Sequence, residues 1–344
     1  MNAARVARWV WGDGAAAKIA RVPLIPLALA YGATMRLRAA AYERGLLPTE
    51  RLPLPAVAIG NLSVGGTGKT PLAAWIARFY ATRGCRPAVL LRGYGGDEPL
   101  VHRRLVPEAV VVADPDRGAG ARRAVTEGAR VLLLDDAFQL LRVARDLNIL
   151  VVSAESAEVA PWALPAGPWR EGWGALRRAD CVVVTRKRAA SDAAGALAAR
   201  LSARRPGLTV SVAQLACERL EGLQSGTSQP ATVLRGRRVL AAAGIADPAS
   251  FAAQLGALGA DVQLVAYQDH HPYPLGDIDR LVQAAQRAGA DYVVVTEKDA
   301  VKLRGRWPQR APEPLVAALD VRWEWGGRLL EEALEAVLAR QPRS

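Results

Sequence analysis

Lysine is scarce in this chain of 344 residues: Lys18, Lys69, Lys187, Lys298 and Lys302 are five of the 45 basic residues, and the other forty are arginine. Where the chain needs only positive charge it uses arginine, so a lysine kept inside a glycine turn marks a place for a compact charge on a flexible stem. Lys69 fits that description; Lys298 and Lys302, in TEKDAVK, are weaker candidates. Cysteine is nearly absent as well. Cys85, Cys181 and Cys217 are too far apart for a disulfide framework or a metal site and read as core thiols in a reducing compartment. The net charge of +12 favours anionic partners. No aromatic-interleaved basic block, Cys/His finger or RNA-binding sheet signature accompanies it, so nucleic acid is not expected and a phosphate-rich substrate or a membrane fits better.

Long apolar runs are missing too. The longest amino-terminal stretch, Val22 to Met35, has 14 residues and contains Pro23 and Pro26, short of the roughly 20 that a spanning helix needs. It lacks a small-residue cleavage site, so a signal peptide is not expected. Leu24, Leu27, Ala28 and Tyr31 recur at helical spacing, flanked by Arg21, Arg36, Arg38 and Arg44. That pattern suits a helix lying in a bilayer interface with arginines on anionic headgroups, and equally one packed against its own protein.

What is present begins with AVAIGNLSVGGTGKTPLAAWIARF, residues 56–79. An apolar strand, a glycine turn and an amphipathic helix form the layout of a P-loop. Backbone amides around Gly65, Gly66, Thr67 and Gly68 would cradle phosphates, Lys69 would reach the terminal phosphates, and the Thr70 hydroxyl would hold Mg²⁺. Ser63 stands where the strict pattern has glycine. It is tolerated if its backbone need not take positive φ.

Short apolar runs at 56–59, 88–91, 109–112, 131–134, 148–152 and 181–184 alternate with helical stretches, which predicts a doubly wound, mostly parallel α/β sheet. A second series, with runs at 209–212, 239–244, 262–267 and 292–296, predicts a smaller α/β domain. The expected division is an amphipathic, membrane-associated segment over 1–45, a P-loop domain over 46–200, the smaller domain over 201–318, and a strand and helix over 319–344. Ligands of such sheets sit beyond the carboxyl ends of the strands. There stand Asp97 and Glu98 in GDEP, Asp135 and Asp136 in LLLDDAF, and His270 and His271 in DHHPY. Paired acids at a strand end are often caps or turn formers, but where Asp135 and Asp136 follow a P-loop lysine the metal reading wins, one carboxylate organising Mg²⁺. Histidine beside a carboxylate can accept a proton near neutral pH. Arg170, in PAGPWREGW, could clamp a phosphate. No N/T-K-x-D follows an apolar strand, so guanine specificity is not supported.

Taken in order, PLIPLALAY, GNLSVGGTGKTP, LLRGYGG, GDEP, LLLDDAFQ, RDLNILVV, LPAGPWRE, RADCVVVT, AAGIADPASF, YQDHHPY and VVVTEKDAVKL run over nearly the whole chain. They resemble the tetraacyldisaccharide 4′-kinase family of lipid A synthesis. The resemblance implies a P-loop NTPase-like fold and an ATP- and Mg²⁺-dependent kinase acting on tetraacyldisaccharide 1-phosphate at the cytoplasmic face of the inner membrane. It implies that Lys69 and Thr70 bind ATP and Mg²⁺ and that Asp97 and His270 form a catalytic dyad. Glu98, Asp135 and Asp136 would be metal-organising acids, and Arg170 an active-site arginine. The chain departs from the family pattern in three places. RGYG runs into GDEP through Gly95 and Gly96 without the usual strand-turn-strand, Leu140 replaces a common histidine, and Asn148 replaces a usual aspartate. The rival expectation is a membrane-associated P-loop ATPase switch, which needs the loop and the acids but neither Asp97 nor His270.

Overall fold

The computed structural model describes residues 3–93, 96–156 and 162–339. Tyr94 and Gly95 of the shortened RGYGGDEP stretch lie outside them. Helix α1 (Ala3–Val10) is followed by α2 (Ala15–Arg21), one 3-10 turn and α3 (Ile25–Glu43), which run on as a helical rod of 29 residues. Here the structure corrects the expectation of a broken 14-residue run. Pro23 and Pro26 fall in the first turns of the 3-10 segment and of α3, where a missing N–H interrupts nothing. By length and composition the rod could cross a membrane. Ala28 and Ala39 are buried, and Arg38 Nη1 donates to Gln139 O at 3.1 Å. Ahead of the rod, Trp11 Nε1 donates to Pro165 O at 3.0 Å. Ile19, Val22, Leu27, Leu29 and Leu37 face outward, each more than half exposed. The rod is thus both docked on its own protein and apolar toward solvent.

The first domain begins at β1 (Ala56–Gly60), followed by α4 (Lys69–Ala81), β2 (Pro87–Leu91), α5 (Glu98–Leu105), β3 (Val110–Ala113) and α6 (Arg117–Thr126). It continues with β4 (Val131–Leu134), β5 (Leu147–Ser153), β6 (Cys181–Arg186), α7 (Ser191–Arg204) and β7 (Thr209–Ala216). These seven strands are paired in parallel in the order β7-β6-β5-β1-β4-β2-β3. Strand period separates the two faces: Val57 and Ile59 pack with Leu72, Ile76 and Tyr80 of α4, whereas Ala56 and Ala58 join Ala121 and Ala124 of α6. Both faces are covered, which is why the strands read as continuous apolar runs.

The second domain is built on β8 (Arg219–Gly222), β9 (Ser228–Pro230), β10 (Arg238–Ala243), α8 (Pro248–Ala257), β11 (Asp261–Ala266), α9 (Leu275–Arg287), β12 (Tyr292–Thr296), α10 (Glu297–Leu303) and β13 (Leu315–Ala317). Its sheet has the order β11-β10-β12-β13-β8-β9, parallel from β11 to β13 and antiparallel beyond. The chain then returns to the first sheet through β14 (Asp320–Trp325), antiparallel to β7, and ends in α11 (Gly327–Ala339).

Two expected boundaries therefore move. Residues 209–216 belong to the first sheet, so the second domain starts after β7 and not at 201. The terminal strand and helix are part of the P-loop domain: Leu330, Leu334 and Val337 are buried in its core, and Tyr80 Oη donates to Leu334 O at 3.0 Å. An isolated apolar strand fits either sheet, and only the neighbour it pairs with decides.

Candidate active site

The glycine loop leaves β1 at Gly60. A Cβ there would lie 2.6 Å from Phe138 Cβ and 2.7 Å from Phe138 N, so glycine is what lets the segment after β4 run beside the loop. Ala137 N donates to Ile59 O at 2.9 Å across that contact. At the other end Gly68 has φ +88°, and its missing Cβ would sit 2.3 Å from Leu215 Cδ1; both conformation and space demand glycine. Ser63 needs neither. It bridges Trp169, Val64 N donates to Pro168 O at 2.7 Å, and Ser63 is not among the residues with positive φ.

Side chains brace the turn. Asn61 Nδ2 donates to Thr67 Oγ1 at 3.0 Å, Thr185 Oγ1 to Thr67 O at 2.7 Å and Lys187 Nζ to Gly66 O at 3.0 Å. Lys187 is fixed in turn by Glu155, whose carboxylate accepts from Ser153 Oγ and from the backbone N–H groups of residues 187–189. Burial opposes ionisation of Glu155, yet these donors push its pKa down to about 2. Helix α4 starts at Lys69, so its N–H groups and dipole face the turn where an anion would lie.

The two aspartates after β4 divide their work. Asp136, at φ +50°, faces the loop: its Oδ1 is 3.4 Å from Lys69 Nζ, and both its oxygens accept from Arg170 Nη1 at 2.9 and 3.0 Å. Asp135 is buried and its Oδ2 lies 3.1 Å from Nε2 of the fully buried His102. Burial resists its ionisation, but the His102 hydrogen bond and charge and the Lys69 charge outweigh burial and hold the carboxyl below its ordinary range.

Helix α5 brings the remaining acids. Asp97 caps it, accepting from Glu98 N at 3.1 Å. Glu98 lies 3.7 Å from Lys298 Nζ. Burial first, and then the charges of Asp135, Asp97 and Asp136 against that of Lys298, raise its pKa. The tips of β2 and β4 therefore crowd negative charge, which suits a divalent cation. Among the described residues no three acids or histidines converge into a preformed cage. The residues fit Mg²⁺ held by one or two carboxylates and Thr70, which occupies the second position of α4, with phosphate oxygens and water completing the shell.

Across the cleft, His270 is held at φ +60° with its N–H on Gly244 O at 3.1 Å. Its Nδ1 lies 3.0 and 2.9 Å from the two Asp97 oxygens. His271 turns back into its own domain, with Nε2 2.6 Å from Asp277 Oδ2 and its ring stacked on Tyr267 at 4.6 Å. The adjacent histidines are thereby separated, one to the cleft and one to the fold. The other end of α5 is fixed by Arg104, which reaches Glu221 at 2.5 Å and Glu297 at 3.3 Å.

Lys69, Arg170 and Asp136 thus meet on one side, and Asp97 and His270 on the other, with Glu98 between Lys298 and the loop acids. Sequence reasoning missed Lys187 and His102 and ranked Lys298 and Lys302 low. Four of the five lysines pair with groups of this site. Their rarity against forty arginines was the available signal; His102 had none.

A braced P-loop opposite paired acids, under a second domain that sets a histidine on a carboxylate, defines a P-loop phosphotransferase. The profile of the family described as tetraacyldisaccharide-1-P 4′-kinase matches residues 20–96 and 95–339, and the chain belongs to that family. The match is interrupted where RGYG runs directly into GDEP. The chain is 38% identical over 365 residues to the tetraacyldisaccharide 4′-kinase of Anaeromyxobacter sp. (strain K), covering 97% of this chain and 95% of that protein. It is 40% identical over 305 residues to that of Geobacter metallireducens, covering 81% and 88%. The crystal structure of LpxK from Aquifex aeolicus in complex with ATP superposes with a TM-score of 0.71 at 26% identity, covering 92% of this chain and 99% of that one.

The Arg104 clasp gives a pH test. Burial, eased by Arg104, pushes Glu297 up to about 8 from an ordinary value of 4.5. The folded protein then holds a proton that the unfolded chain releases. Its stabilisation is complete below about pH 4.5 and is lost as pH rises through about 8. Glu297→Gln, which mimics the protonated acid, is expected to flatten the fall in stability between pH 5 and 8 seen by chemical denaturation; an unchanged slope contradicts the assignment.

Proposed function

We propose that this chain transfers the γ-phosphate of ATP to the 4′-hydroxyl of tetraacyldisaccharide 1-phosphate, with Asp97 and His270 acting on the acceptor and the P-loop on the nucleotide. The observation that carries the reading is the Asp97–His270 contact, 2.9 Å long between side chains 173 positions apart. Nucleotide binding alone has no use for it. Phosphoryl transfer has a loose transition state, so positioning and charge neutralisation do most of the work. The loop amides and the α4 N-terminus hold the phosphates. Lys69 exchanges its Asp136 contact for the γ-phosphate, and Arg170, on the same aspartate, lies ready to follow. Thr70 and one or two of the carboxylates at 98, 135 and 136 would hold Mg²⁺, which would supply charge neutralisation on the phosphate oxygens. The dyad takes the hydroxyl proton, an effect typically worth about 10²–10⁴-fold in rate.

Incubation with γ-labelled ATP and tetraacyldisaccharide 1-phosphate is expected to label the lipid, and Lys69→Ala to abolish labelling in a folded protein. A P-loop switch would release labelled phosphate at the same rate with or without the lipid, and that outcome would overturn the reading.

The outward residues of the amino-terminal rod support docking on the inner-membrane surface at its cytoplasmic face, with basic flanks on anionic headgroups. Because Ile19, Leu27 and Leu37 are 72%, 59% and 72% exposed, replacing all three by aspartate leaves the packing intact. The variant is expected to lose co-sedimentation with anionic vesicles while keeping wild-type thermal stability. Unchanged co-sedimentation would mean that the rod only packs on its own protein.

A further inference from the structure

Lys302 is a mostly enclosed charge that the proposed chemistry leaves without a task. It is the sixth residue of α10, with a side chain 13% exposed, and its Nζ lies 3.1 Å from Asp97 Oδ2. Asp97 is itself 2% exposed. Its Oδ1 receives Glu98 N at 3.1 Å and His270 Nδ1 at 3.0 Å, and its Oδ2 receives His270 Nδ1 at 2.9 Å beside Lys302. Groups from three elements thus fill one enclosed carboxylate, which has little room left for a sugar hydroxyl. His270 is 41% exposed, so its ring is the part of the pair that an acceptor can reach.

A buried ammonium needs a counter-charge wherever it sits, and a staple between domains would satisfy that need. Two observations go further. Lys302 meets the one carboxylate that also orients His270, and it is lysine in a chain that fills forty of its 45 basic positions with arginine. We infer that Lys302 is a positioning residue for the transfer step: its ammonium on Oδ2, opposite Glu98 N on Oδ1, holds the Asp97 carboxylate in place against His270 Nδ1, which fixes the proton there and leaves the Nε2 lone pair to receive the acceptor proton. The hydroxyl O–H bond breaks toward Nε2 while its oxygen bonds the γ-phosphorus, and the bond from that phosphorus to the β,γ-bridging oxygen breaks to release ADP. Asp269 Oδ1, on the same loop, lies 3.9 Å from Nε2, too far to hold a proton there. The inference rests on the dyad proposed above.

The chain has three histidines, so ¹⁵N-histidine NMR of the full-length protein reads the tautomer directly, with His270 assigned by the signals lost in His270→Gln. Neutral wild-type His270 is expected to be protonated on Nδ1 and bare on Nε2. Lys302→Met removes the ammonium that braces the Asp97 carboxylate against His270. Its kcat is expected to fall about 10–100-fold, the usual scale for a partner one layer behind the reacting group. KM for ATP should stay unchanged. Lys302→Arg keeps the charge and should hold kcat near wild type. A proton on Nε2 in the wild-type protein overturns the inference even if Lys302→Met does not fold. So does a Lys302→Met variant that changes thermal stability alone. Wild-type turnover by His270→Gln would instead remove the dyad on which the inference stands.

Discussion

Asp97 carries its charge in a place almost closed to water, and the surroundings are arranged to keep it charged. Burial alone would favour the protonated acid. The Lys302 charge and the His270 contact, both from the second domain, outweigh burial and hold the carboxyl below its ordinary range. The helix that Asp97 caps carries Glu98 toward the loop acids at one end and Arg104 toward Glu221 and Glu297 at the other. Asp97, in the first domain, draws its counter-charges from the second, so the two domains are coupled at the Asp97–His270 contact.

The nucleotide side obeys a related constraint. A glycine turn free enough to wrap phosphates is also free enough to collapse, and here Asn61, Thr185 and Lys187 hold it open from three directions. Lys187 depends on Glu155, and Glu155 on the backbone that follows β6. Loop geometry is thus set by β6, two strands away from β1, as well as by the glycines. Lysine economy follows the same logic. Lys69, Lys187, Lys298 and Lys302 each place a single ammonium at one oxygen, whereas the arginines at 104, 170 and 178 bridge acids or engage both carboxylate oxygens.

Legibility from the sequence tracked locality. The P-loop was readable because strand, glycines, lysine and helix lie within 24 contiguous residues. The acids at 97, 98, 135 and 136 stood out as polar ends of apolar strands. Pairing Asp97 with His270 was another matter: spacing along the chain holds no trace of it, and the expectation came through the family motifs. Choosing His270 over His271 had no local basis either, since it depends on Tyr267 and Asp277 capturing the second ring. The second domain was recognisable, but its start was misplaced because TVSV at 209–212 is equally apolar in either sheet. The length of the helical rod was not legible because proline is harmless only in the first turn of a helical segment, and nothing in the residues around Pro23 and Pro26 marks that position.

Asp97 and His270 are brought together by separate domains, and the claim that they work as one catalytic unit is open to a direct measurement. A double-mutant cycle of Asp97→Ala and His270→Ala, read as kcat with the lipid acceptor and as ATP affinity, isolates their coupling. Each single variant is expected to lose about 10²–10⁴-fold in kcat with ATP affinity retained, and the double variant little more than the worse single. Losses that multiply, or that follow weakened ATP binding, would contradict a shared role in the transfer step.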